Sequence, residues 1–459
     1  MNKFNKATSL TLVLVFSAVF LVIIGSIVGL STQQNRLNKQ KIAKELALQI
    51  SEAGINYAKW RLAHYPDDFS NEQRIYSDPQ GQDLGVFDLE FTSKIYCGDV
   101  NSLIITSTAY TYDYPNTKRI ISVKYSRPSI AEYAYLIDDN VWAGEDREIS
   151  GRYHANGGIR MDGQTDSLVT SAKDEWNCTS SFGCSSPYEV KPGVFGDGGG
   201  QEQGLWQYPP EFPIEEVDFE SISMNLSIMK ELAQESGLYF RNPTAKGYHI
   251  IFKNDGTIDV WNVKTTDAIR AYNEEQGWHW SYEKIKNEKF DGNYSIPETC
   301  KLIFIEGDLW IEGTVNGKIT ITSADLINPN KNSDIYLNGN INYVNNSGLG
   351  VIAENNILVP LYSPDIMELS GIFLAQKGHF GRNHYPSYYW PWYDREKLEM
   401  HGSVISKGRV GTQWTSNGYF VSGYRNRENT YDRNLMTDPP PLTPSSDNEY
   451  MFVKWEEVE

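Results

Sequence analysis

Positive charge is scarce in this sequence. It has 41 Lys and Arg against 59 Asp and Glu, so its formal net charge is −18 at pH 7. Nucleic-acid binding requires clustered cations that neutralise phosphates, and this balance argues against that class of protein. We interpret the acidic excess as a solubility coat on an exposed protein.

Motifs that carry catalysis are also missing. The sequence has no GxSxG, no HExxH, no P-loop and no GxGxxG that opens a helix. It has seven His, and His379 and His384 have no further candidate ligands nearby in the chain. The acidic stretch at 137–140 supplies too few oxygens by itself for calcium, which takes about six to eight. We therefore predict that the protein is not an enzyme and uses no cofactor or metal.

Cysteine is sparse too, with Cys97, Cys178, Cys184 and Cys300 as the only four. None of them forms a CxxC or Cys/His pair of the kind that binds zinc. Cys178 and Cys184 flank a short loop rich in Ser and Gly, which predicts a disulfide made in an oxidising compartment. Two free thiols are the alternative. Cys97 and Cys300 are a second candidate pair, although spacing alone does not set connectivity.

A long uncharged run lies near the N-terminus. From Thr8 to Leu30 the chain has no charged residue, and as a helix this run would be about 34 Å long. That length crosses a bilayer core, so we predict a transmembrane helix that contacts lipid through residues 8–30. A signal peptide is the competing interpretation, but its apolar region is normally shorter, about 7–15 residues.

The helical pattern continues beyond this run. Apolar and small residues recur in steps of three and four from Leu37 to Leu62, which predicts one helix from about Thr8 to Ala63. The stripe that they form must pack on something. A partner helix and the chain's own domain are both open as the partner surface.

The stretch LALQISEAGINYAKWRL at 46–62 resembles the N-terminal region of PilX-type minor pilins, in which a similar pattern follows the membrane helix. The resemblance implies a bacterial type IV pilus-like surface system, with pilin-like subunits as partners. It also implies that the helix packs among other pilin helices. The stripe residues it assigns to assembly are Leu46, Ile50, Ala53, Gly54 and Tyr57.

Orientation is a further expectation. We predict a single-pass cell-membrane protein whose bulk lies outside the cytoplasm or on the cell surface, because the resemblance and the predicted disulfide both favour that side. The distribution of Lys and Arg around the apolar run, taken alone, favours the opposite orientation.

The rest of the chain has mainly the pattern of strands, so the predicted fold class is mainly β. It begins with the long N-terminal transmembrane α-helix, and a small antiparallel sheet and a β-helix-like solenoid with an α/β insertion follow. We divide the chain into six segments: an N-terminal anchor and extended amphipathic helix (1–66), a small pilin-like β-sheet (67–128), a first solenoid-like segment (129–200), an α/β insertion (201–300), a β-solenoid (301–425) and a C-terminal tail (426–459).

A recurring pattern predicts the solenoid. An apolar residue, any residue and Gly, followed by a short β run and a second Gly, occur at 149–159, 369–380 and 400–410. Many short strands with glycine corners are typical of a β-solenoid, and an irregular β-sandwich is the alternative.

An aromatic segment at 384–393 is the candidate contact surface, with Tyr388, Tyr389, Trp390 and Trp392 as its candidate residues. Exposed Tyr and Trp are common interface anchors, and their rings can stack on sugars. Alternatively the segment folds over an open solenoid edge and caps it, as we expect Trp278 and Trp280 to do.

Two functions follow from these patterns. The first is a structural or adhesive component of a type IV pilus-like system. The second is a carbohydrate-binding or carbohydrate-cleaving β-helix protein tethered to the membrane, with a surface glycan as its possible partner.

Overall fold

The structure is a computed structural model that describes residues 5–242, 244–328, 330–416, 418–447 and 449–458. The chain divides into two compact units. The first contains Met1–Lys94, Ser102–Ser126 and Phe452–Glu459, and the second contains Ile95–Asn101 and Arg127–Met451. Segments that are distant in sequence therefore fold together in each unit.

The first unit consists of one long helix and a five-stranded sheet. Its elements are α1 (Asn5–His64), β1 (Glu72–Ser77), β2 (Asp83–Tyr96), β3 (Asp99–Thr111), β4 (Tyr114–Ser126) and, last in the chain, β31 (Met451–Val458). The strand order is β1-β2-β3-β4-β31, and the pairs β1–β2 and β3–β4 are antiparallel. The predicted long N-terminal helix and small antiparallel sheet are confirmed.

The core of the first unit lies between the second half of α1 and the sheet. The helix contributes Ile50, Ile55, Ala58 and Leu62, all buried, at helical spacing. The sheet contributes one face, because successive side chains of a strand point to opposite sides. Its buried apolar residues are Phe87, Leu89, Leu103, Ile105, Ala109, Ile121 and Val123.

The second unit is built almost entirely from strands. Its α-helices are α2 (Phe219–Ile222), α3 (Leu226–Glu235) and α4 (Arg433–Thr437), with short 3-10 turns at Ile130–Glu132, Ser180–Phe182 and Ser387–Tyr389. Its first strands are β5 (Tyr133–Ile137), β6 (Val141–Ala143), β7 (Arg147–Ser150), β8 (Arg152–Ala155), β9 (Ile159–Met161), β10 (Gln164–Thr165), β11 (Val169–Ser171), β12 (Glu175–Cys178), β13 (Glu189–Pro192), β14 (Val194–Phe195) and β15 (Trp206–Gln207).

The remaining strands of this unit follow the helices α2 and α3. They are β16 (Leu238–Phe240), β17 (Gly247–Phe252), β18 (Thr257–Asn273), β19 (Gly277–Ser295), β20 (Leu302–Glu306), β21 (Asp308–Val315), β22 (Lys318–Ala324), β23 (Ile335–Tyr343), β24 (Gly348–Ala353), β25 (Ile357–Leu358), β26 (Ile366–Ala375), β27 (Phe380–Gly381), β28 (Asp394–Ser406), β29 (Gln413–Ser416) and β30 (Tyr419–Thr430). With the earlier ones they confirm a mainly β fold.

Parallel pairing with the strand after next organises most of this unit. β20 pairs with β22, β22 with β24, β24 with β26 and β26 with β28. β21, β23, β25 and β27 repeat the same rule beside them. Strands such as β22 and β24 are buried along their whole length, as parallel strands covered on both faces are. This pairing agrees with the predicted solenoid, which stays a prediction.

Two of the repeats found in the sequence lie side by side. In the β26–β28 pair, Leu369 aligns with Met400 and Gly371 with Gly402. Gly402 has a φ of +135°, and a Cβ there would lie 2.0 Å from the carbonyl oxygen of Gly371. Glycine is therefore required at this corner both by conformation and by the close approach of the neighbouring backbone.

The segment at 201–300, the predicted α/β insertion, contains the helices α2 and α3 and a long hairpin. The antiparallel pair β17–β18 turns at Gly256, which has a φ of +85°, a conformation that glycine adopts readily in a tight hairpin turn. β17 also pairs in parallel with β21, which joins the hairpin to the main sheet. The boundaries of the six predicted segments stay predictions.

Both candidate cysteine pairs are joined. Cys178 bonds to Cys184, and Cys97 bonds to Cys300, both within the second unit. The first pair closes the loop around the turn Ser180–Phe182, and the second links positions that are 203 residues apart. The second link constrains the unfolded chain more, because it closes the longer loop.

Candidate functional site

The first half of α1 presents a bare apolar surface. Large apolar side chains are exposed along the whole run from Leu10 to Leu30, with exposed fractions from 48% to 72%. They are Leu10, Leu12, Val13, Leu14, Val15, Phe16, Val19, Phe20, Leu21, Val22, Ile23, Ile24, Ile27, Val28 and Leu30. The helix is long and apolar enough to cross a membrane, although an N-terminal signal sequence would meet the same criterion. No protein surface within the described chain covers this apolar run.

Two glycines lie within this apolar run. Gly25 and Gly29 are separated by three residues, and no atom lies within 4 Å of the Cβ position of either one. In membranes a G-x-x-x-G spacing lets two helix backbones approach closely. The G-x-x-x-G spacing is visible in the sequence. The predicted assembly stripe did not include it, because that prediction concerned only the second half of the helix.

The second half of α1 is packed on the unit's own sheet. Of the five predicted assembly residues, Ile50 and Gly54 are buried, and Leu46, Ala53 and Tyr57 are half-buried. A Cβ at Gly54 would lie 2.3 Å from Oγ of Ser107 and 3.0 Å from the Phe87 ring. Packing within the unit thus accounts for these five residues of the stripe, and their predicted role in assembly stays a prediction.

The second unit carries an exposed aromatic face on the hairpin β18–β19. Trp278, Trp280 and Tyr282 occupy alternate positions of β19 and are 47%, 56% and 59% exposed. Ser281 and Glu283, which point to the other side of the strand, are buried. The strand therefore turns its polar residues inward and its aromatic residues outward. The ring of Trp278 still packs against Tyr272 and His384, and the expectation that Trp278 and Trp280 cap the body stays a prediction.

Buried Glu283 explains this inverted pattern. Its Oε1 accepts hydrogen bonds from the backbone N–H of Leu361 at 2.7 Å and from the hydroxyl of Tyr385 at 2.6 Å. Its Oε2 accepts one from Ser281 at 2.7 Å. Burial, followed by the charge of Glu283, raises the pKa of Tyr385 well above its usual value. Since the buried carboxylate is hydrogen-bonded, it fixes the strand orientation that exposes the aromatic face.

Arg270 lies within the aromatic face. Its guanidinium carbon is 5.5 Å from the ring centre of Trp278 and 5.6 Å from that of Trp280. The register of β18 and β19 places Arg270 directly opposite Trp280. Among the described carboxylates, none forms an ion pair with Arg270, and the two Trp rings attract its charge without neutralising it.

The predicted contact segment at 384–393 is divided between exposed and packed residues. Tyr388, Trp390 and Trp392 are 68%, 69% and 38% exposed. Tyr389 is half-buried, and its hydroxyl accepts a hydrogen bond from the backbone N–H of Arg270 at 2.9 Å. The segment therefore closes over part of the fold through Tyr389 and leaves the other three rings exposed.

The candidate metal ligands are engaged in other contacts. Burial lowers the pKa of His379 to about 4, and that of His384 is also lowered by burial. His384 packs edge-on against Trp278, with ring centres 5.3 Å apart. Asp138 accepts a hydrogen bond from Asn156 and pairs with Lys407. No group of three His, Cys, Asp or Glu within the described part of the chain is arranged to hold a metal ion.

Comparisons with known proteins find one structural similarity, and it is weak. No protein-family model matches the chain, and no curated protein sequence matches it. Among solved structures, the competence-associated pilin ComZ from Thermus thermophilus is similar at 13% identity, over 91% of this chain and 97% of that chain, with a TM-score of 0.32. A score this low carries no argument, so the functional interpretation rests on this chain's own residues.

Proposed function

We propose that this chain is a membrane-anchored, non-enzymatic structural subunit of a type IV pilus-like surface assembly. The observation that supports it most is the two-part helix α1, in which an exposed apolar half continues without interruption into a half packed on a small antiparallel sheet. Exposed apolar surface is unfavourable in water by roughly 25 cal/mol per Å². This unfavourable free energy is removed when the apolar half is surrounded by lipid or by other apolar helices.

Assembly with other subunits is proposed through the membrane half of α1. The half of α1 that ends near Leu30 keeps its whole circumference exposed. Gly25 and Gly29 give it one face on which another helix can approach closely. The partners are other subunits that carry an N-terminal apolar helix of the same kind.

The test is co-purification of such subunits with the tagged full-length chain from native membranes. The double variant Gly25→Leu with Gly29→Leu should recover at least about tenfold less of them, since each 1.4 kcal/mol of lost packing is a factor of ten. Ile27→Leu, on the opposite side of the helix, is the matched control and should behave as wild type. Equal recovery by all three proteins, with all three retained in the membrane, would contradict the assembly proposal.

A second function is favoured by the aromatic face of the second unit. We propose that Trp278, Trp280, Tyr282 and the rings of the segment at 384–393 bind a surface glycan. Side chains on alternate positions of a strand are spaced about 6.6 Å apart. The aromatic side chains of β19 therefore form a regularly spaced row, which can contact successive units of a linear repeating ligand. Unpaired Arg270 within the row favours a polysaccharide with carboxylate groups. The proposal is for binding and not for cleavage.

Binding of alginate by the full-length protein in non-ionic detergent tests this second function, with dextran as the neutral comparison. Trp280→Ala should weaken alginate binding about tenfold, and Arg270→Met should remove the preference for alginate over dextran. Tyr188→Ala alters a 50% exposed aromatic outside the face and is the control. A wild-type protein that retains neither polysaccharide would end this proposal and leave the assembly proposal intact.

A further inference from the structure

Charge is distributed very unevenly along the chain. The first 44 residues contain six Lys or Arg and no Asp or Glu, so their formal charge is +6. The remaining 415 residues contain 35 Lys and Arg against all 59 Asp and Glu, which gives −24. An anionic surface therefore repels the bulk of the chain and attracts its N-terminal segment. That positive segment is the one that contains the apolar half of α1.

Three of these cations follow the apolar run closely. Arg36, Lys39 and Lys41 are exposed, and none of the three forms an ion pair or a hydrogen bond with the residues that the structure describes. Lys44, the next cation, has a carboxylate of the first unit nearby, that of Glu457. We therefore leave Lys44 out and call the other three the basic collar. Within the described chain the basic collar has no counter-charge of its own.

The basic collar surrounds the helix and does not lie on one side of it. Arg36 and Lys39 are three residues apart, so they are neighbours on the helix surface. Lys41 is two residues beyond Lys39, about 200° further around the helix, and points to the opposite side. The apolar run before it is likewise exposed on all sides. Cations spread around a helix suit a bilayer, which surrounds the helix, better than a single protein partner.

The basic collar is also at the right distance from the apolar run. At about 1.5 Å per residue, Arg36 is about 9 Å and Lys41 about 16 Å along the helix from Leu30. The headgroup layer on each side of a bilayer is about 5–8 Å thick. Helix side chains lean towards the N-terminus, which here is the membrane end, and Lys and Arg extend several ångströms further. Arg36 and Lys39 thereby reach the headgroups, and Lys41 lies within one screening length of them, about 8 Å.

We propose that the basic collar binds anionic phospholipid headgroups of the bilayer that α1 crosses. The proposal rests on the membrane anchor proposed above. Headgroup phosphates supply the counter-charge that the first unit does not provide, and each Lys or Arg close to an anionic membrane surface adds to the attraction. Headgroups border this end of the apolar run in either orientation of the chain. The collar thus holds a strongly acidic protein at a membrane that would otherwise repel it.

The test is native mass spectrometry of the full-length protein, released from non-ionic detergent micelles that contain equal amounts of phosphatidylglycerol and phosphatidylcholine. The wild type should retain phosphatidylglycerol about fivefold better, since one cation beside an anionic headgroup contributes about 1 kcal/mol. Higher salt should weaken this preference. The triple variant Arg36→Gln, Lys39→Gln, Lys41→Gln should retain the two lipids equally. Because all three side chains are exposed, the variant should fold as the wild type does.

The matched control removes three exposed cations of the second unit, through Arg241→Gln, Lys246→Gln and Lys289→Gln, and should keep the full preference. Resistance to alkaline carbonate extraction from membranes, measured for all three proteins, separates the collar from the anchor. A wild type that resists extraction but retains both lipids equally would overturn the collar and leave the anchor intact. A wild type that is extracted would contradict the anchor and the collar together.

Two further results would overturn the collar. One is an equal preference for phosphatidylglycerol in the wild type and in the collar variant. The other is a collar variant that keeps this preference but loses its co-purified subunits, because the three cations would then bind a protein partner.

Discussion

The two halves of α1 belong to one uninterrupted helix yet have opposite surroundings. From Leu10 to Leu30 the apolar side chains are exposed on all sides, whereas Ile50, Ile55 and Ala58 are fully buried against the unit's own sheet. Both halves are apolar, but only the second has a protein partner within the described chain. The apolar character of a helix therefore does not identify its partner. The distribution of apolar residues around the helix identifies it.

The difference is visible in the residues themselves. The second half buries most of its apolar residues along one stripe and keeps Lys44, Glu45 and Glu52 exposed. The first half has no polar face at all, which is the property of a helix surrounded by lipid or by other helices. The predictions that follow apply the same kind of substitution to both halves.

The largest effect is expected for a charge placed in the packed half. Ile50→Arg buries an unpaired charge and should destabilise the first unit by about 3–5 kcal/mol. Ile42→Arg, in the same helix at a 66% exposed position, should change it by less than about 0.5 kcal/mol. Hydrogen exchange of peptides from β2 to β4, read by mass spectrometry, measures both. Similar protection in the two variants would mean that the helix does not pack on this sheet.

A charge in the apolar half should affect insertion and not folding. Ile23→Arg should make membrane insertion less favourable by about 3 kcal/mol. Hydrogen exchange in β2 to β4 should stay as in the wild type. The fraction of protein that resists alkaline carbonate extraction reports insertion, with Ile23→Leu as the control. Full resistance of the Arg variant would argue that lipid does not surround this position.

The smallest contrast involves glycine. Gly54→Ala places a Cβ 2.3 Å from Ser107 Oγ, and after the gain in helix propensity the net cost should be on the order of 1 kcal/mol. Gly25→Ala meets no atom within 4 Å and should leave the first unit unchanged. Urea unfolding, monitored by hydrogen exchange of the first unit, measures the difference in stability between the two variants. An equally stable Gly54→Ala protein would show that the helix and sheet are less closely packed than described.

The sequence predicted the helix and the small sheet because both depend on local periodicity. The expected helix from about Thr8 to Ala63 agrees with Asn5–His64, and Pro66 explains why it ends there. The pairing of β31 into this sheet was not predicted. Met451 lies hundreds of residues from β4, and no local pattern records such a partner.

The candidate sites were harder to predict, because they depend on which side of a strand faces inward. Alternation at 278–283 was visible, but a rule that buries aromatic residues assigns the wrong side to Trp278 and Trp280. The deciding residue is Glu283, whose buried carboxylate binds Tyr385, and that partner is 102 positions away.

Protease accessibility on intact spheroplasts tests the central claim most directly, namely that residues 8–30 hold the chain in the membrane with the rest outside the cytoplasm. Added protease should degrade the chain beyond about residue 31 and leave a short N-terminal fragment in the membrane, while a cytoplasmic marker stays intact. A full-length chain that is protected until the spheroplasts are lysed, or that is recovered in the soluble fraction, would contradict the claim.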